Sequence, residues 1–272
     1  MSGRRFAALL GAAVVLGASL FPVLWTLIGS LAPEEALFRS PALLPDRLVL
    51  DHYGDVLRER AFLIPIRNSL VVAGATTALC LVIGVAAAYA LVRLRFRWKD
   101  VILAAILAVS MFPQIAIVSP LFLLLRGLGL INSFPGLVLP YLSFTLPLTV
   151  WLLTSFLSQL PWDLEDAAFL DGASRWRAFR EIVLPLAMPG VASAGILTFV
   201  YCWNEFLFAL AFTLGPDRQT VPVAITLFRG RYQIPWGQVL AASVLASLPI
   251  VGLVIGFQRR IVRGLTAGAV KG

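Results

Sequence analysis

Six long apolar runs alternate along the chain with short polar connections. The runs cover residues 6–31, 68–92, 101–125, 136–157, 188–213 and 239–257. The apolar core of a bilayer is about 30 Å thick and needs about 20 helical residues to cross it, so each run is long enough to span. Strands of a membrane barrel would be about half as long and would alternate apolar with polar side chains. The pattern therefore predicts an all-α integral membrane protein with six transmembrane helices.

Composition agrees with a membrane environment. The chain is 60% hydrophobic and 13% charged, with a mean hydropathy of +0.90, whereas soluble domains are about one-quarter charged. Lipid is therefore an expected partner. The polar connections are too short to form an independent soluble core, so we predict that residues 1–272 form a single transmembrane domain.

The net charge of +8 would suit nucleic acid, but the basic residues form short blocks between apolar runs. This arrangement is typical of the positive-inside rule. Blocks at residues 4–5, 93–99 and 259–271 predict cytoplasmic N- and C-termini, and we expect no nucleic-acid partner. A cleavable signal peptide is the alternative for the N-terminus. Its apolar core would be about 7 to 15 residues long, shorter than the first run, so we expect a retained helix.

The cysteines and the single histidine suggest no metal or redox chemistry. Cys80 and Cys202 fall inside predicted helices, where a thiol behaves as a small hydrophobic group. His52 lies in the first polar connection among acidic residues. A lone histidine of this kind is expected to be solvated, so we assign it no role.

The connection between the fourth and fifth runs, residues 158–187, is predicted to form a helix-turn-helix. Ser158 can cap a first helix, and Gly172 can close it in the left-handed conformation. Ser174 can cap a second short helix before Pro185 leads into the fifth span. Eight charged residues gather here, namely Asp163, Glu165, Asp166, Asp171, Arg175, Arg177, Arg180 and Glu181.

This hairpin carries a spaced motif. Asp166-Ala167-Ala168 is followed by three residues, Gly172, nine residues and Ile182-Val183-Leu184-Pro185. It resembles the coupling motif of binding-protein-dependent ABC importer permeases, in which Glu stands where this chain has Asp166. By that resemblance, the residues that meet the ATPase or shape the hairpin are Asp166, Ala167, Ala168, Asp171, Gly172, Ile182, Leu184 and Pro185.

The residues themselves give this resemblance a physical basis. No G-x-x-x-x-G-K-[ST] phosphate loop occurs in the chain, so ATP must be hydrolysed by a partner. Ala167 and Ala168 lack bulk and let another protein approach the helix closely, while Asp166 or Asp171 can meet a cationic group. In the alternative interpretation the alanines are only helix formers and Gly172 only ends the helix. We expect no cofactor on this chain, and ATP and Mg²⁺ on the partner ATPase.

The resemblance extends to the carbohydrate-uptake branch, and there to the second permease subunits of maltose and trehalose importers. Met111-Phe112-Pro113, Trp203-Asn204-Glu205-Phe206 and the terminal segment from Arg263 to Gly272 carry it. It implies a heterodimer with a second permease, two ATPase subunits and an extracytoplasmic solute-binding protein in a bacterial or archaeal plasma membrane. It also implies that the tail, residues 259–272, reaches the ATPase pair. The Gly- and Ala-rich end after Leu265 has no bulky apolar residues and suits extended backbone in a narrow interface; a disordered tail is the alternative.

Glu205 is the one ionisable residue inside a predicted span. A charge at mid-membrane costs at least ~2.5 kcal/mol, so this side chain should face the bundle interior. Tyr201, Trp203, Asn204 and Glu205 offer flat surfaces, an amide and a carboxylate suited to a polyhydroxyl solute. Two alternatives remain: a structural helix–helix hydrogen bond, or sugar contacts made wholly by the other subunit. Gln114, with its neighbouring prolines, is expected to bend the third span or line the path.

Two other classes of protein fit less well. An ion-coupled secondary carrier or channel would use carboxylates in several membrane helices, and the chain shows no matching broken halves. A membrane enzyme would need catalytic residues, but neither a Gly-x-Ser-x-Gly nor a His-Glu-x-x-His sequence is present. We therefore predict a chain that is not itself an enzyme.

Overall fold

The computed structural model describes residues 3–38, 45–58, 61–94, 97–228 and 234–267, and no strand occurs among them. The helices in this part of the chain are α1 Gly3–Ser30, α2 Glu34–Phe38, α3 Asp51–Arg58, α4 Leu63–Arg93, α5 Lys99–Ser110, α6 Gln114–Gly127, α7 Phe134–Leu157, α8 Asp163–Leu170, α9 Arg175–Ala178, α10 Leu184–Asn204, α11 Leu207–Phe212, α12 Val221–Thr226 and α13 Trp236–Ala267, with a π-helical turn at Phe179–Val183. By length and composition, five helices in the described part of the chain can span a membrane, and the bent pair α5–α6 brings the number to six when it is counted as one span. The predicted all-α membrane architecture is confirmed, and the predicted number of six spans agrees with this count.

Helices α4, α7 and α10 form the centre of the bundle. Small residues let these helices approach closely, as is common in membranes. A Cβ atom added to Gly84 would lie 3.2 Å from Leu153, and one added to Gly190 would overlap the ring of Phe156. Buried hydroxyl groups join the same helices, for example Thr149 and Thr198 at 2.8 Å. The central packing therefore depends on small side chains and short polar contacts.

The third span is broken, where the sequence predicted one helix over residues 101–125. Helix α5 ends at Ser110, and α6 begins at Gln114 after a bend of 89°. Pro113 explains the break, because proline donates no backbone hydrogen bond and disfavours helical backbone in the residue before it. Gln114 consequently stands at the start of a new helix inside the membrane region.

The fifth and sixth spans also differ from their predicted bounds. The fifth, predicted over residues 188–213, is divided because Glu205 adopts extended backbone (ψ 128°) between α10 and α11. The sixth was predicted to end at residue 257, but α13 continues as helix to Ala267. The expectation of extended backbone after Leu265 is therefore wrong for Thr266 and Ala267, and residues 268–272 lie outside the described part of the chain.

Helix α1 lies on the outside of the bundle and packs mainly against α13. At the end of the bundle away from α8 and α9, Glu34 accepts hydrogen bonds from the backbone N–H groups of Trp236 (2.8 Å) and Gly237 (2.9 Å). His52 is 9% exposed, and its Nε2 lies 3.0 Å from the carbonyl oxygen of Ala32. The expectation of a solvated histidine is wrong. Helix α3, which carries His52, packs against the start of α13, and α13 covers the imidazole ring.

Candidate functional sites: a hairpin and an intramembrane groove

The hairpin, residues 158–187, turns at Gly172 as predicted. Gly172 has φ +78°, and the N–H of Ala173 donates to the carbonyl of Ala168 at 2.9 Å, which closes α8 in the way typical of a left-handed cap. The hydroxyl of Ser174 accepts the N–H of Arg177 at 3.3 Å and caps the second arm. The local signals of glycine and serine were sufficient to predict this turn.

Two details of the hairpin differ from the prediction. Ser158 ends α7 and donates to the carbonyl of Ser155, so it does not cap α8. The second arm is not a separate short helix, because residues Arg175–Asn204 run on as one helical segment of 30 residues. The π turn makes this continuity possible: the N–H of Leu184 reaches the carbonyl of Phe179, and the wider turn accommodates the missing N–H of Pro185.

The motif residues divide by exposure. Asp166, Ala167, Asp171, Gly172 and Pro185 are exposed, Ile182 and Leu184 are half-buried, and Ala168 is buried. Two large apolar side chains stand beside the exposed ones, with Leu170 89% and Trp176 68% exposed. Sequence reasoning did not single out Leu170 or Trp176. Exposed apolar side chains clustered with charged ones are typical of a protein-binding surface.

A buried ion pair joins the hairpin to the last residue of α4. The Arg93 Nε atom lies 3.1 Å from Glu165 Oε2, and both side chains are about as buried as core residues, at 2% and 3% exposure. The guanidinium also donates from Nη2 to the Leu160 carbonyl at 3.0 Å and lies 4.4 Å from the ring centre of Trp162. Sequence reasoning used Arg93 only as a topology signal, because nothing in the local pattern connects it with residue 165.

The second site lies at the break of the fifth span. The Glu205 carboxylate accepts the backbone N–H groups of Phe208 (2.8 Å) and Ala209 (3.2 Å), so it caps the start of α11. Glu205 is 8% exposed, and the buried phenol of Tyr141 lies near it. This carboxylate therefore has a structural task within its own chain, distinct from the helix–helix bond considered above.

A groove of about 690 Å³ runs past this break. Its wall consists of Gln114, Leu148, Leu152, Leu197, Val200, Tyr201, Asn204, Glu205, Phe206 and Leu207. The amide of Gln114 donates to the hydroxyl of Tyr201 at 2.7 Å, which joins α6 to α10 across the groove. Asn204 is exposed and donates to the Val200 carbonyl at 2.8 Å, which leaves its own amide oxygen free to accept.

Trp203 does not line this groove. Its side chain is 3% exposed and stacks on Phe199, with 5.7 Å between ring centres, in a cluster with Val221 and Ala241. Around the helix, Trp203 points about 200° away from Tyr201 and about 100° away from Asn204. The structure therefore places Trp203 away from the groove, whereas Tyr201, Asn204 and Glu205 lie together beside Gln114.

A bundle of apolar helices with an intramembrane groove and a projecting hairpin defines a membrane component of a transport system. Residues 80–267 match the family described as binding-protein-dependent transport system inner membrane component. The chain belongs to this family of ABC transporter permeases, and it is a multi-pass protein of the plasma membrane. The permeases are the membrane components of these transporters and are not catalytic themselves.

Curated relatives cover nearly the whole chain. The trehalose transport system permease protein of Mycobacterium tuberculosis is 42% identical over 95% of each chain. The trehalose/maltose transport system permease protein of Thermococcus litoralis is 41% identical over 99% of this chain and 98% of its own. The sulfoquinovosyl glycerol transport system permease protein of Agrobacterium fabrum is 42% identical over 97% and 93%.

The fold is similar to that of a solved transporter. A chain in the crystal structure of a bacterial ABC transporter involved in the import of alginate superposes with a TM-score of 0.71 at 14% identity, over 95% of this chain and 94% of that one. A second structure, in which the alginate transporter is in complex with an alginate pentasaccharide-bound periplasmic protein, gives a TM-score of 0.70 at 15% identity over 94% of each chain. At this identity the likeness concerns the fold.

Proposed function

We propose that this chain is a permease subunit of an ATP-driven sugar importer and that the hairpin is its ATPase-docking site. The observation that carries the proposal is the exposed surface of the hairpin, where Asp166, Ala167 and Asp171 stand beside Leu170 and Trp176. This surface combines charge with exposed apolar area, as docking surfaces do. It also carries the spaced motif that ends at Pro185.

The proposed assembly contains a second, different permease, two ATPase subunits on the hairpin side and a solute-binding protein on the opposite side. ATP and Mg²⁺ bind to the ATPase subunits, and this chain binds no cofactor of its own. The hairpin and both termini face the cytoplasm, in agreement with the basic blocks in the sequence. The host is a bacterium or an archaeon, as it is for the relatives described above.

The proposed substrate is a disaccharide or oligosaccharide of the maltose or trehalose kind. Two relatives that share 41–42% of their residues with this chain are named for trehalose or for trehalose and maltose. The groove supports a neutral polyhydroxyl solute, because Gln114, Tyr201 and Asn204 offer amide and hydroxyl groups beside apolar walls. Glu205 shapes this groove by holding the start of α11.

Transport proceeds by alternating access in this proposal. Closure of the ATPase pair on ATP draws the hairpins of the two permeases together, and the helices open toward the solute-binding protein. Hydrolysis returns the groove to the cytoplasmic side. The energy must come from the ATPase subunits, because the chain has no phosphate-binding loop. It enters this chain through the hairpin on which those subunits dock.

Two measurements test the proposal. In the first, the tagged chain is cross-linked and purified from its native membrane in mild detergent, and its companions are identified by mass spectrometry. An ATPase and a second permease are expected. Recovery of the chain alone, or only with copies of itself, would favour a self-contained ion-coupled carrier and overturn the importer assignment.

The second measurement is uptake of radiolabelled trehalose and maltose by cells that carry Gly172→Trp. Gly172 has φ +78° and open space around it, so the indole is strained at the turn and projects from the hairpin surface. Uptake should be lost while the chain remains in the membrane. Gly129→Trp is the matched control, because Gly129 has φ +70° with equally open surroundings at the other end of the bundle. Normal uptake in Gly172→Trp would contradict docking at this turn.

A further inference from the structure

The last turn of α4 holds both arms of the hairpin. Arg93 reaches the first arm through its ion pair with Glu165 and its hydrogen bond to the Leu160 carbonyl. Tyr89, one turn earlier on the same face, contacts the second arm, with its ring centre 4.8 Å from that of Phe179. Helix α4 therefore touches the two arms at two separate points.

The ion pair is buried beside a cavity of about 560 Å³, lined by Tyr89, Arg93, Leu94, Trp162, Glu165, Asp166, Phe169 and Arg175. Leu160, at the start of the hairpin, packs on the apolar cluster that includes Val85 and Ala88 of α4, but α8 itself contributes no residue to this cluster. In the part of the chain that the structure describes, no other ion pair joins α8 to a membrane helix. The position of α8 consequently depends on Arg93.

The burial of this pair is informative in itself. Two charged side chains at 2% and 3% exposure carry a large desolvation cost, and apolar residues of similar volume would often serve stability equally well. A buried ion pair that adds little net stability is expected to act by holding the two elements that it joins in one arrangement. Here the joined elements are α4, at the centre of the bundle, and α8, which carries the exposed motif.

We propose that Arg93 is a positioning residue that makes α8 and α4 move as one body, so that displacement of the hairpin reaches the bundle centre and the groove. This inference rests on the proposed function, because it assumes that an ATPase moves the hairpin. Helix α4 packs against both α7 and α10, and α10 carries Tyr201 and Asn204 to the groove. Without Arg93, the hairpin still binds the ATPase and its second arm still moves with α10, but α8 no longer carries α4 with it.

The test uses the whole complex, purified from native membranes with its own ATPase and partner permease and reconstituted in proteoliposomes. The measured quantity is radiolabelled trehalose or maltose transported per ATP hydrolysed. For Arg93→Met we expect the ATPase to co-purify and to hydrolyse ATP, while transport per ATP falls by about tenfold or more, within the usual range of coupling between sites. Retention of wild-type transport per ATP in an assembled Arg93→Met complex would overturn the inference.

Arg177→Met is the matched control. Arg177 pairs with Glu181 at 3.0 Å on the same hairpin, but the two side chains are 66% and 58% exposed, so this pair joins no separate elements. Because Arg177 lies on the docking hairpin, its loss can lower ATP hydrolysis and transport together, but the ratio of the two, transport per ATP, should stay unchanged. A fall as large as that of Arg93→Met would show that any lost charge on the hairpin has this effect, and would overturn the inference.

A second variant covers the case in which Arg93→Met fails to assemble. Arg93→Lys keeps a cation for Glu165 but loses the planar group that lies over Trp162 and the donor to Leu160. It should assemble, and its transport per ATP should be lower than that of the wild type but still measurable. Full wild-type coupling in Arg93→Lys would contradict the inference. Failure of the wild-type chain itself to bring down an ATPase would instead contradict the proposed function.

Discussion

Replacing Glu205 with alanine removes the acceptor for two backbone N–H groups inside the membrane region. The carboxylate receives Phe208 N–H at 2.8 Å and Ala209 N–H at 3.2 Å, and the side chain is almost fully buried. A hydrogen bond to a charged group contributes about 1.5–3 kcal/mol, so the loss of two should destabilise the start of α11 by roughly 3–6 kcal/mol. Glu205→Gln keeps one acceptor oxygen and should cost about half as much.

The reactivity of a nearby thiol can measure this destabilisation. Cys202 lies three residues before Glu205 and is 4% exposed, so a maleimide reaches it only when the segment opens. In a Cys80→Ser background, Cys202 is the remaining cysteine. Because about 1.4 kcal/mol corresponds to a factor of ten, Glu205→Ala should speed labelling by more than about a hundredfold, and Glu205→Gln by less.

Asn204→Ala is the control for this measurement. Asn204 is exposed, and its side-chain amide donates only to the carbonyl one turn earlier, so labelling of Cys202 should stay close to the wild-type rate. The reasoning is refuted if Glu205→Ala labels at the wild-type rate. If sugar uptake were lost at the same time, Glu205 would act on the solute and not on the backbone of α11.

Four further substitutions test the packing and the groove. Gly190→Ala places a methyl group against Cγ and the ring of Phe156, so the amount of folded chain in the membrane should fall. Phe156→Ala in the same chain removes the overlapping atoms and should restore it. An unchanged amount in Gly190→Ala, measured by fluorescence-detected gel filtration, would contradict the close approach of α7 and α10. Gln114→Leu removes the 2.7 Å hydrogen bond to Tyr201 and should change the apparent KM for sugar uptake. Trp203→Phe, in the buried cluster, should lower thermal stability and leave KM unchanged. If KM changed in Trp203→Phe and not in Gln114→Leu, Trp203 would belong to the solute path.

Local signals in the sequence predicted the parts of the structure that depend on neighbouring residues. Run length was sufficient for the six spans, and Gly172 and Ser174 were sufficient for the turn of the hairpin, because a left-handed glycine and a serine cap act within a few residues. Pro113 was expected to bend the third span, but the size of the bend was not predictable from one proline.

The parts that sequence reasoning missed depend on contacts between distant segments. The sequence placed Glu165 only among the charged residues of the hairpin, yet its partner is Arg93 at the end of α4. His52 was assigned to solvent, yet α13 covers it. Trp203 and Asn204 are neighbours in the chain and point about 100° apart around one helix, so only the packed bundle decides which of them borders the groove.

The helical segment Arg175–Asn204 has a consequence for the angular alignment of the two sites that it joins. A segment of 30 residues is about 45 Å long, and it runs without interruption from the hairpin turn to Asn204. Its π turn at Phe179–Val183 takes up one extra residue by widening a single turn, where the N–H of Leu184 reaches the carbonyl of Phe179. In a regular α-helix, one added residue would rotate everything beyond it by about 100°. Because the wide turn absorbs this rotation, removing one residue from it should close the turn to α-helix and leave Tyr201 and Asn204 at nearly the same angle to the surface that carries Trp176. Removing one residue from the regular helix after Leu184 would instead rotate them by about a quarter turn.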